Sequence, residues 1–394
     1  MAPPFDGKVI GSSIQAVLAA LVLYTFYYIY WQYTIGVSRR RMVKDNGCKP
    51  IKSSPELNPW VDSVLGWKLF VENGKAFKEH RLLEHIRGRF QRNGYTFYNR
   101  LLTTNIYVTA EPENLKTILA LKFKDWSLPD RRKAAFLPVL GPGIFTTDGA
   151  AWHRSRELLR PNFVRSQVGD LETFETHVSH LIQAIPRDGS TVDIEDLFFR
   201  LTIDSATEYL YGESTNVLAT RTSGDGGQEF AKAWNESQKW ITTRFRNGAL
   251  WSWIFGSKFR KDIQYVHGFI DRYVQRALEY RKTLNSEKQD SEGKGRYIFL
   301  YELAKGTNDP QQIRSEMLNI LLAGRDTTAS LLSNVWFILA QRPDIWKKLR
   351  IEVDALKGDK PTFAQIKDMK YLRMVLNECK RHAQLECYGT NISI

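Results

Sequence analysis

The segment Leu321–Ser330, LLAGRDTTAS, decides how the rest of this chain is interpreted. It lies in the middle of Ile313–Leu339, a run without proline in which apolar residues recur at helical spacing, so the run predicts one long α-helix. Gly324 leaves room for another group close to the backbone. The carboxylate of Asp326 beside the hydroxyl of Thr327 can relay protons in a site shielded from water. The alternative is an ordinary solvated helix face, but the apolar surroundings favour a functional site.

Length and composition restrict the class of protein. With 394 residues, the chain exceeds the usual size of one hydrophobic core, about 250–300 residues. Apolar residues make up 43% and charged residues 25%, a globular balance. The net charge of +13 suits an anionic membrane or an acidic protein partner. Nucleic acid is not an expected partner, because the sequence has no zinc-finger spacing, RNA-binding motif or dense basic stripe.

An apolar stretch near the N-terminus predicts a membrane anchor. Residues 14–35 carry no charge, and at ~1.5 Å per residue they form a helix of ~33 Å, enough to cross a hydrocarbon core of ~30 Å. Tyrosines and Trp31 crowd the second half, as expected at a headgroup interface. The basic residues at positions 39–44 place the later chain on the cytosolic side. A cleaved signal peptide is less favoured, because the stretch is long and the basic cluster follows it.

The rest of the chain predicts a mainly α-helical body with a small β-sheet. Long stretches with helical periodicity dominate it. Thr96–Asn99 and Ile106–Thr109 are the best pair of strand candidates. Segments rich in glycine and polar residues, such as Thr222–Gln228, are typical of loops within one body rather than of boundaries between domains.

Two residue pairs add weaker signals. Trp152 and Arg156 stand four apart in a predicted helix and share a face, so an indole N–H and a guanidinium can clamp a carboxylate. A half-buried tryptophan beside a surface arginine is the commoner explanation of such a pair. Glu378 and Arg381 are three apart, a spacing that supports an ion pair within a helix and alone carries no functional information.

Taken in order, these elements resemble the membrane-anchored cytochromes P450, the haem-thiolate monooxygenases. The order is an anchor with a basic hinge, then WxxxR at Trp152 and Arg156, AGxDTT at Ala323–Thr328, and ExxR at Glu378 and Arg381. The resemblance covers most of the chain and implies the P450 fold. Further segments resemble the fungal branch that hydroxylates n-alkanes and fatty acids: Gly47–Pro50, Gly143–Arg156 and Val192–Ser214.

The resemblance implies which residues bind the cofactor, haem b. Trp152 and Arg156 would bind a haem propionate. Ala323 and Gly324 would lie over the haem face, where small side chains leave room for dioxygen and substrate.

The resemblance also implies catalytic and structural residues. Asp326 and Thr327 would be the catalytic residues, which supply protons for oxygen activation. Glu378 and Arg381 would hold the core around the haem.

The implied partners are NADPH-cytochrome P450 reductase, the endoplasmic reticulum membrane and a long-chain apolar substrate. The protein would be a single-pass membrane protein whose body faces the cytosol. Substrate contacts would come from Arg131–Gly141 and from the aromatic-rich region Trp234–Phe255.

The sequence departs from the family pattern after the ExxR motif. In this family the proximal ligand of the haem iron is a cysteine in an FxxGxRxC segment downstream of ExxR. The sequence around Cys48, Cys379 or Cys387 does not match that segment. No metal ligand is therefore predicted. The alternative to a monooxygenase is therefore a truncated, catalytically inactive fragment. A membrane-bound interaction protein is a third interpretation, supported by charge alone. The expected segments are a lumenal N-terminus (1–13), a transmembrane anchor (14–35), a basic hinge (36–60), a partial P450 domain incomplete at its C-terminus (61–381) and a tail outside the family pattern (382–394).

Overall fold

The computed structural model describes residues 7–48, 51, 66–101, 104–163, 171–219, 226–247, 256–286 and 297–386. The chain divides into two compact units. The N-terminal unit takes residues 1–74 and 87–115, and the helical unit takes residues 75–86 and 116–394.

The N-terminal unit begins with consecutive helical segments. Helix α1 spans Gly7–Trp31, a π-helical turn covers Gln32–Gly36, and α2 spans Val37–Asp45. Within the described ranges, none of the helices has both the length and the apolar character needed to cross a membrane. The spanning helix predicted over residues 14–35 is thus not found there.

A two-stranded antiparallel sheet also belongs to the N-terminal unit. Strand β1, Thr96–Leu101, pairs with β2, Thr104–Thr109, with Thr96 opposite Thr109. The hydroxyls of these two threonines lie 2.8 Å apart. The predicted strand pair is therefore confirmed. Further helices contribute residues to both units: α3 (Trp67–Lys78), α4 (Leu82–Asn93) and α5 (Pro112–Lys116).

Helices make up nearly all regular structure of the helical unit, so the mainly α class with a small sheet is confirmed. They are α6 (Asp130–Leu140), α7 (Gly149–Leu159), α8 (Leu171–Ala184), α9 (Ile194–Tyr211), α10 (Gly227–Asn247), α11 (Gly256–Ser286), α12 (Phe299–Gly306), α13 (Pro310–Gln341), α14 (Pro343–Asp354), α15 (Phe363–Asp368) and α16 (Lys370–Glu386). Short π-helical and 3₁₀ turns cover Thr117–Leu121, Phe123–Asp125 and Arg160–Phe163.

Helix α13 is the long helix predicted around LLAGRDTTAS. It begins at a favourable cap, because the Asp309 side chain accepts a hydrogen bond from the backbone N–H of Gln311 and Pro310 occupies the first turn. Its apolar side chains then continue for several turns. The prediction of one uninterrupted helix is confirmed.

Helix α13 also runs along the hydrophobic core of the helical unit. The main core cluster joins side chains of α6, α9, α10, α11, α12 and α13, among them Trp234, Leu303 and Leu321, all 0% exposed. Ala329 packs with α9 in a second cluster, and Val335 packs with α14 and α16 in a third. The polar residues in the middle of α13 therefore lie at the border of the core.

Candidate functional site

The polar residues of α13 face two different environments. Arg325 is 3% exposed, and the Asp326 side chain is 18% exposed, although both are charged. Gly324 and Thr327 are exposed. Because consecutive helical residues point about 100° apart, Asp326 turns toward α10 while Thr327 lies on an open face. The structure does not bring together the two side chains that the sequence suggested as a proton-relay pair.

Arg325 links three helices. Its Nη1 donates to Asp326 Oδ1 at 2.8 Å, and its Nη2 donates to Asn235 Oδ1 at 2.5 Å. Its guanidinium lies 4.7 Å from the ring centroid of Phe199 on α9. A buried charge requires such partners. Sequence reasoning missed the role of Arg325, and the signal was the placement of an arginine in an apolar helix.

The environment of Asp326 shifts the pKa of its carboxyl upward. Burial raises the pKa of the carboxyl because it desolvates the charged form, while the positive charge of Arg325 and the nearby Gln238 amide act in the opposite direction. The Oδ2 atom is buried and has no hydrogen-bond partner among the described residues. A carboxyl with a raised pKa and an unengaged oxygen suits proton transfer.

A polar cavity reaches Arg325 from the side of α9 and α10. It has a volume of about 310 Å³, and its lining includes Arg200, Lys232, Asn235 and Lys239. Water fits in a polar space of this size. The cavity therefore brings a polar space up to Arg325, the partner of Asp326.

An open strip of small side chains lies on α13 beside that pair. It consists of Ala323, Gly324 and Thr327, and we call it the open strip. A Cβ added to Gly324 would meet no heavy atom within 4 Å. Thr327 Oγ1 donates to the carbonyl oxygen of Ala323 at 2.6 Å, which folds its hydroxyl back onto the helix. The strip thus leaves room for a flat ligand against the backbone.

Trp152 and Arg156 share a face of α7. The guanidinium carbon of Arg156 lies 5.4 Å from the Trp152 ring centroid, and that ring packs against Phe123 with centroids 5.2 Å apart. Trp152 is half-buried, whereas Arg156 is exposed. No ion pair involving Arg156 forms within the described part of the chain. Its guanidinium is therefore open to an external carboxylate.

Glu316 is a buried acid that sequence reasoning missed. It is 0% exposed, and neither carboxyl oxygen makes a hydrogen bond of normal geometry to any described residue. Burial raises its pKa, against smaller opposing effects of the Ser155 hydroxyl and the Ile144 backbone. Ser155 precedes Arg156 in α7, so Glu316 lies where α7 meets α13. The only sequence signal was one glutamate within the apolar first half of α13.

Asn319 ties α13 to the loop before α7. Its Nδ2 donates to Leu140 O at 3.3 Å and to Ser315 O at 2.7 Å, and its Oδ1 accepts from Phe145 N at 3.0 Å. A Cβ at Gly143 would lie 2.5 Å from Asn319 Nδ2, so the loop requires glycine there. These bonds connect the loop that precedes the WxxxR helix with the helix of the open strip.

The ExxR residues and the cysteines lie in varied surroundings. Glu378 is exposed on α16, and the backbone of Arg381 is helical there, while its side chain lies outside the described residues.

Cys379 is buried in the third cluster, and burial raises the pKa of its thiol. Cys48 is exposed in the N-terminal unit, and Cys387 lies outside the described residues. Within the described chain, no cluster of three or more histidine, cysteine or acidic residues could hold a metal ion.

Comparison with known proteins defines the class. A crystal structure of a cytochrome P450, CYP102L1, matches this structure with a TM-score of 0.61 at 19% sequence identity, covering 77% of this chain and 69% of that chain. This likeness shows the P450 fold. The family model for cytochrome P450 matches residues 63–385, so the chain belongs to the cytochrome P450 family.

Fungal members of the family are similar along most of the chain. Cytochrome P450 monooxygenase fsdH of Fusarium heterosporum is 39% identical over 94% of this chain and 66% of its own length. Cytochrome P450 monooxygenase himC of Aspergillus japonicus is 40% identical over 86% of this chain and 60% of its own length. Cytochrome P450 52A5 of Candida maltosa is 44% identical over 73% of this chain and 56% of its own length. The resemblance to the fungal branch is confirmed. The chain spans 56–66% of the length of these curated relatives.

Haem, an iron porphyrin, is the cofactor of this family. The described residues fit two of its parts. The unpaired guanidinium of Arg156 suits a propionate, and the open strip beside Gly324 suits the porphyrin plane. Cys379 does not fit the iron, because its thiol is buried in an apolar cluster.

Proposed function

We propose that the protein is a monooxygenase that hydroxylates n-alkanes or fatty acids with O2 and with electrons from NADPH-cytochrome P450 reductase. The observation that carries the proposal is the buried Arg325–Asp326 pair directly beside the open strip of α13. The likeness to cytochrome P450 52A5 and other fungal relatives supports it.

The cofactor is held between α7 and α13 in this proposal. Arg156 and the indole N–H of Trp152 bind a propionate, because both are polar donors on one accessible helix face. Ala323 and Gly324 would lie against the porphyrin plane, where a larger side chain would occupy the substrate's space. When bound, haem supplies the oxidising chemistry.

Proton supply is the task of Asp326 and Thr327. Asp326 would pass protons toward the open strip, because burial raises the pKa of its carboxyl. Thr327 lies on the open strip, where its hydroxyl would orient a water molecule. Since the two side chains point in different directions, we expect a water molecule between them rather than a direct contact.

The remaining assignments concern structure. Glu378 and Arg381 would hold the core around the haem, and the buried face of α16 packs on α13 through the third cluster. The segment boundaries at residues 13, 35, 60 and 381 stay predictions. The substrate regions Arg131–Gly141 and Trp234–Phe255 contribute Phe136 and Trp234 to the main core cluster, and residues 248–255 lie outside the described residues.

Attachment to the endoplasmic reticulum membrane through α1, with the body facing the cytosol, is part of the proposal. Large apolar side chains along α1 are exposed, including Leu21, Leu23 and Phe26. The basic residues of α2 follow, and such residues bind anionic headgroups. Deletion of residues 1–38 should move the protein from the microsomal pellet to the supernatant. Equal pelleting of both forms would contradict this.

The decisive test of function is turnover combined with spectroscopy. Asp326→Asn should lower the hydroxylation rate about 100-fold while leaving the substrate-induced spectral shift unchanged. Asp344→Asn, which removes an exposed carboxylate paired with Arg342, should change neither quantity. Equal loss in both variants would refute the role of Asp326.

The alternative of an inactive chain rests on the chemistry of Cys379, whose thiol is buried in an apolar cluster where burial raises its pKa. The reduced carbon-monoxide complex decides between the two. A red-shifted Soret band that disappears in Cys387→Ser would support thiolate-ligated haem and activity. If the wild-type chain does not show that band, the result would support the alternative of an inactive chain.

A further inference from the structure

The polar cavity that reaches Arg325 is built from three helices. Asp196 and Arg200 line it from one face of α9, and Lys232 and Asn235 line it from one face of α10. Arg325 contributes from α13. We call this space, of about 310 Å³, the α9–α10 cavity.

One wall of the α9–α10 cavity is fixed by a buried carboxylate. Val217 belongs to the lining, and its backbone N–H donates to Asp204 Oδ1 at 2.8 Å. The backbone N–H of Leu218 donates to Asp204 Oδ2 at 2.9 Å, and the Thr215 hydroxyl donates to Oδ1 at 2.7 Å. Asp204 lies on α9 and is 0% exposed. The wall is therefore held in place before any ligand binds, which lowers the entropic cost of binding.

Positive charge exceeds negative charge in the lining of the cavity. Two of its basic side chains have acidic partners on their own helices: Arg200 pairs with Asp196 at 2.6 Å, and Lys239 pairs with Glu236 at 2.7 Å. Lys232 also belongs to the lining and is exposed. In the part of the chain that the structure describes, no carboxylate lies within ion-pair distance of Lys232. Its ammonium group is thus available to an anion in the cavity.

Arg325 adds a charge that is largely removed from water. It is 3% exposed, and its Nε is buried without a hydrogen-bond partner among the described residues. Burial lowers the pKa of its guanidinium, while the charges of Asp326 and Asp196 act in the opposite direction. Arginine nevertheless stays charged. A second anion beside this desolvated cation would stabilise it further.

From this arrangement we infer that the α9–α10 cavity binds the phosphate group of a small anion between Lys232 and Arg325. Lysine and arginine are the side chains that bind phosphate, through charge-assisted hydrogen bonds. A tetrahedral oxyanion accepts such bonds from several directions, and here the two basic side chains approach from different helices, α10 and α13. A planar carboxylate offers only two oxygens, and chloride offers a single centre.

The size and the polarity of the cavity restrict the ligand. Its volume is far above the ~10–15 Å³ that one water molecule needs, so a hydrated phosphate fits. Charged and amide side chains dominate the lining, which does not suit an acyl chain. Free phosphate and a small phosphorylated metabolite share the chemistry that the site recognises. The inference goes beyond the proposed function and needs neither haem nor a hydroxylated substrate.

The test measures phosphate binding directly. The full chain in dodecyl maltoside micelles is dialysed at pH 8 against radiolabelled orthophosphate, with potassium chloride holding the ionic strength constant and protein-free micelles subtracted. Wild type should bind phosphate saturably, about one per chain. Lys232→Gln should weaken binding about tenfold, because a hydrogen bond to a charged group contributes that much. Lys232→Arg should keep most of the affinity.

A second variant tests whether Arg325 takes part. Asn235 Oδ1 accepts a hydrogen bond from Arg325 Nη2, and Asn235→Asp keeps that acceptor while adding a negative charge at the cavity. Saturable phosphate binding should disappear in this variant. If Asn235→Asp binds phosphate as wild type does, the ion lies on the surface lysine alone and the inference is wrong.

A matched control lies on another helix of the same unit. Lys347 on α14 is exposed, and among the described residues it too has no acidic partner. Lys347→Gln should bind phosphate as wild type does. Equal weakening in Lys232→Gln and Lys347→Gln, or the lack of saturable binding in wild type, overturns the inference.

Competition identifies the source of the phosphate group. Displacement of the labelled ion by glycerol 3-phosphate at comparable concentration supports a site for a small phosphorylated metabolite. Displacement by unlabelled phosphate alone supports a site for the free ion. Displacement by an equal concentration of potassium chloride would show general screening of charge and overturns the inference.

Discussion

The two halves of α13 have the same secondary structure but different surroundings. In the first half, residues 310–323, most side chains are enclosed on every side; those at most 4% exposed are Ile313, Ser315, Glu316, Met317, Leu318, Asn319, Leu321 and Leu322. In the second half, residues 324–341, only a stripe is buried, while Trp336 and Phe337 are 45% and 61% exposed. The difference shows that the first half anchors the fold and the second half presents a surface. The proposed site lies at the boundary.

The largest expected effect tests the enclosure of the first half. Leu321→Ala should lower the free energy of unfolding by about 2–5 kcal/mol, because it leaves a cavity in a fully buried place. Phe337→Ala, in the second half, should change it by no more than about 0.5 kcal/mol. Urea unfolding followed by tryptophan fluorescence measures both. Similar losses would mean that the halves do not differ.

The next effect concerns polar anchoring. Asn319→Ala leaves Phe145 N and Leu140 O without a partner and should cost about 1–3 kcal/mol of stability. Asn334→Ala, in the second half, removes a bond to Ser330 O within the same helix and should cost less than about 0.5 kcal/mol. If Asn334→Ala is less stable than Asn319→Ala in the same urea titration, the proposed difference between the two halves of α13 is wrong.

A smaller effect of opposite sign is expected at the open strip. Gly324→Ala should stabilise the haem-free chain by about 1 kcal/mol, because alanine favours the helix and its methyl group meets no atom. The same change should weaken haem binding, measured by titration of the Soret absorbance. Gly143→Ala should instead destabilise the chain, since the methyl group would meet Asn319. If Gly324→Ala stabilises the chain but leaves its affinity for haem unchanged, the open strip is not part of the haem-binding site.

The smallest effect at any single pH is expected for Glu316→Gln, which preserves the shape of the side chain. Because burial raises the pKa of Glu316 above 4.5, the folded chain holds this proton more tightly than the unfolded chain does. The contribution of this proton to the stability of the folded chain is complete at a pH below the pKa of Glu316 in the unfolded chain. It is lost as the pH rises through the pKa of Glu316 in the folded chain. The difference between the unfolding midpoints at pH 4 and pH 8 should therefore be smaller in the variant. An unchanged difference between the two midpoints would show that Glu316 is not responsible.

The site was predictable in part. The residues of α13 were placed correctly on one long helix, and the strand pair Thr96–Asn99 and Ile106–Thr109 was found, because helical and strand periodicity are local signals. The membrane-spanning helix over residues 14–35 was not found in the described residues.

The sequence by itself determined the helices, the hairpin and the ordered motifs that reveal the family, because each depends on neighbours within a few turns of chain. Only the tertiary structure decided that Arg325 meets Asn235, ninety positions earlier, and that Arg131 meets the end of α10. It also decided that Glu316 is enclosed while Thr327 stays open. The physical reason is that burial and partner choice depend on how distant segments pack, which no local spacing encodes.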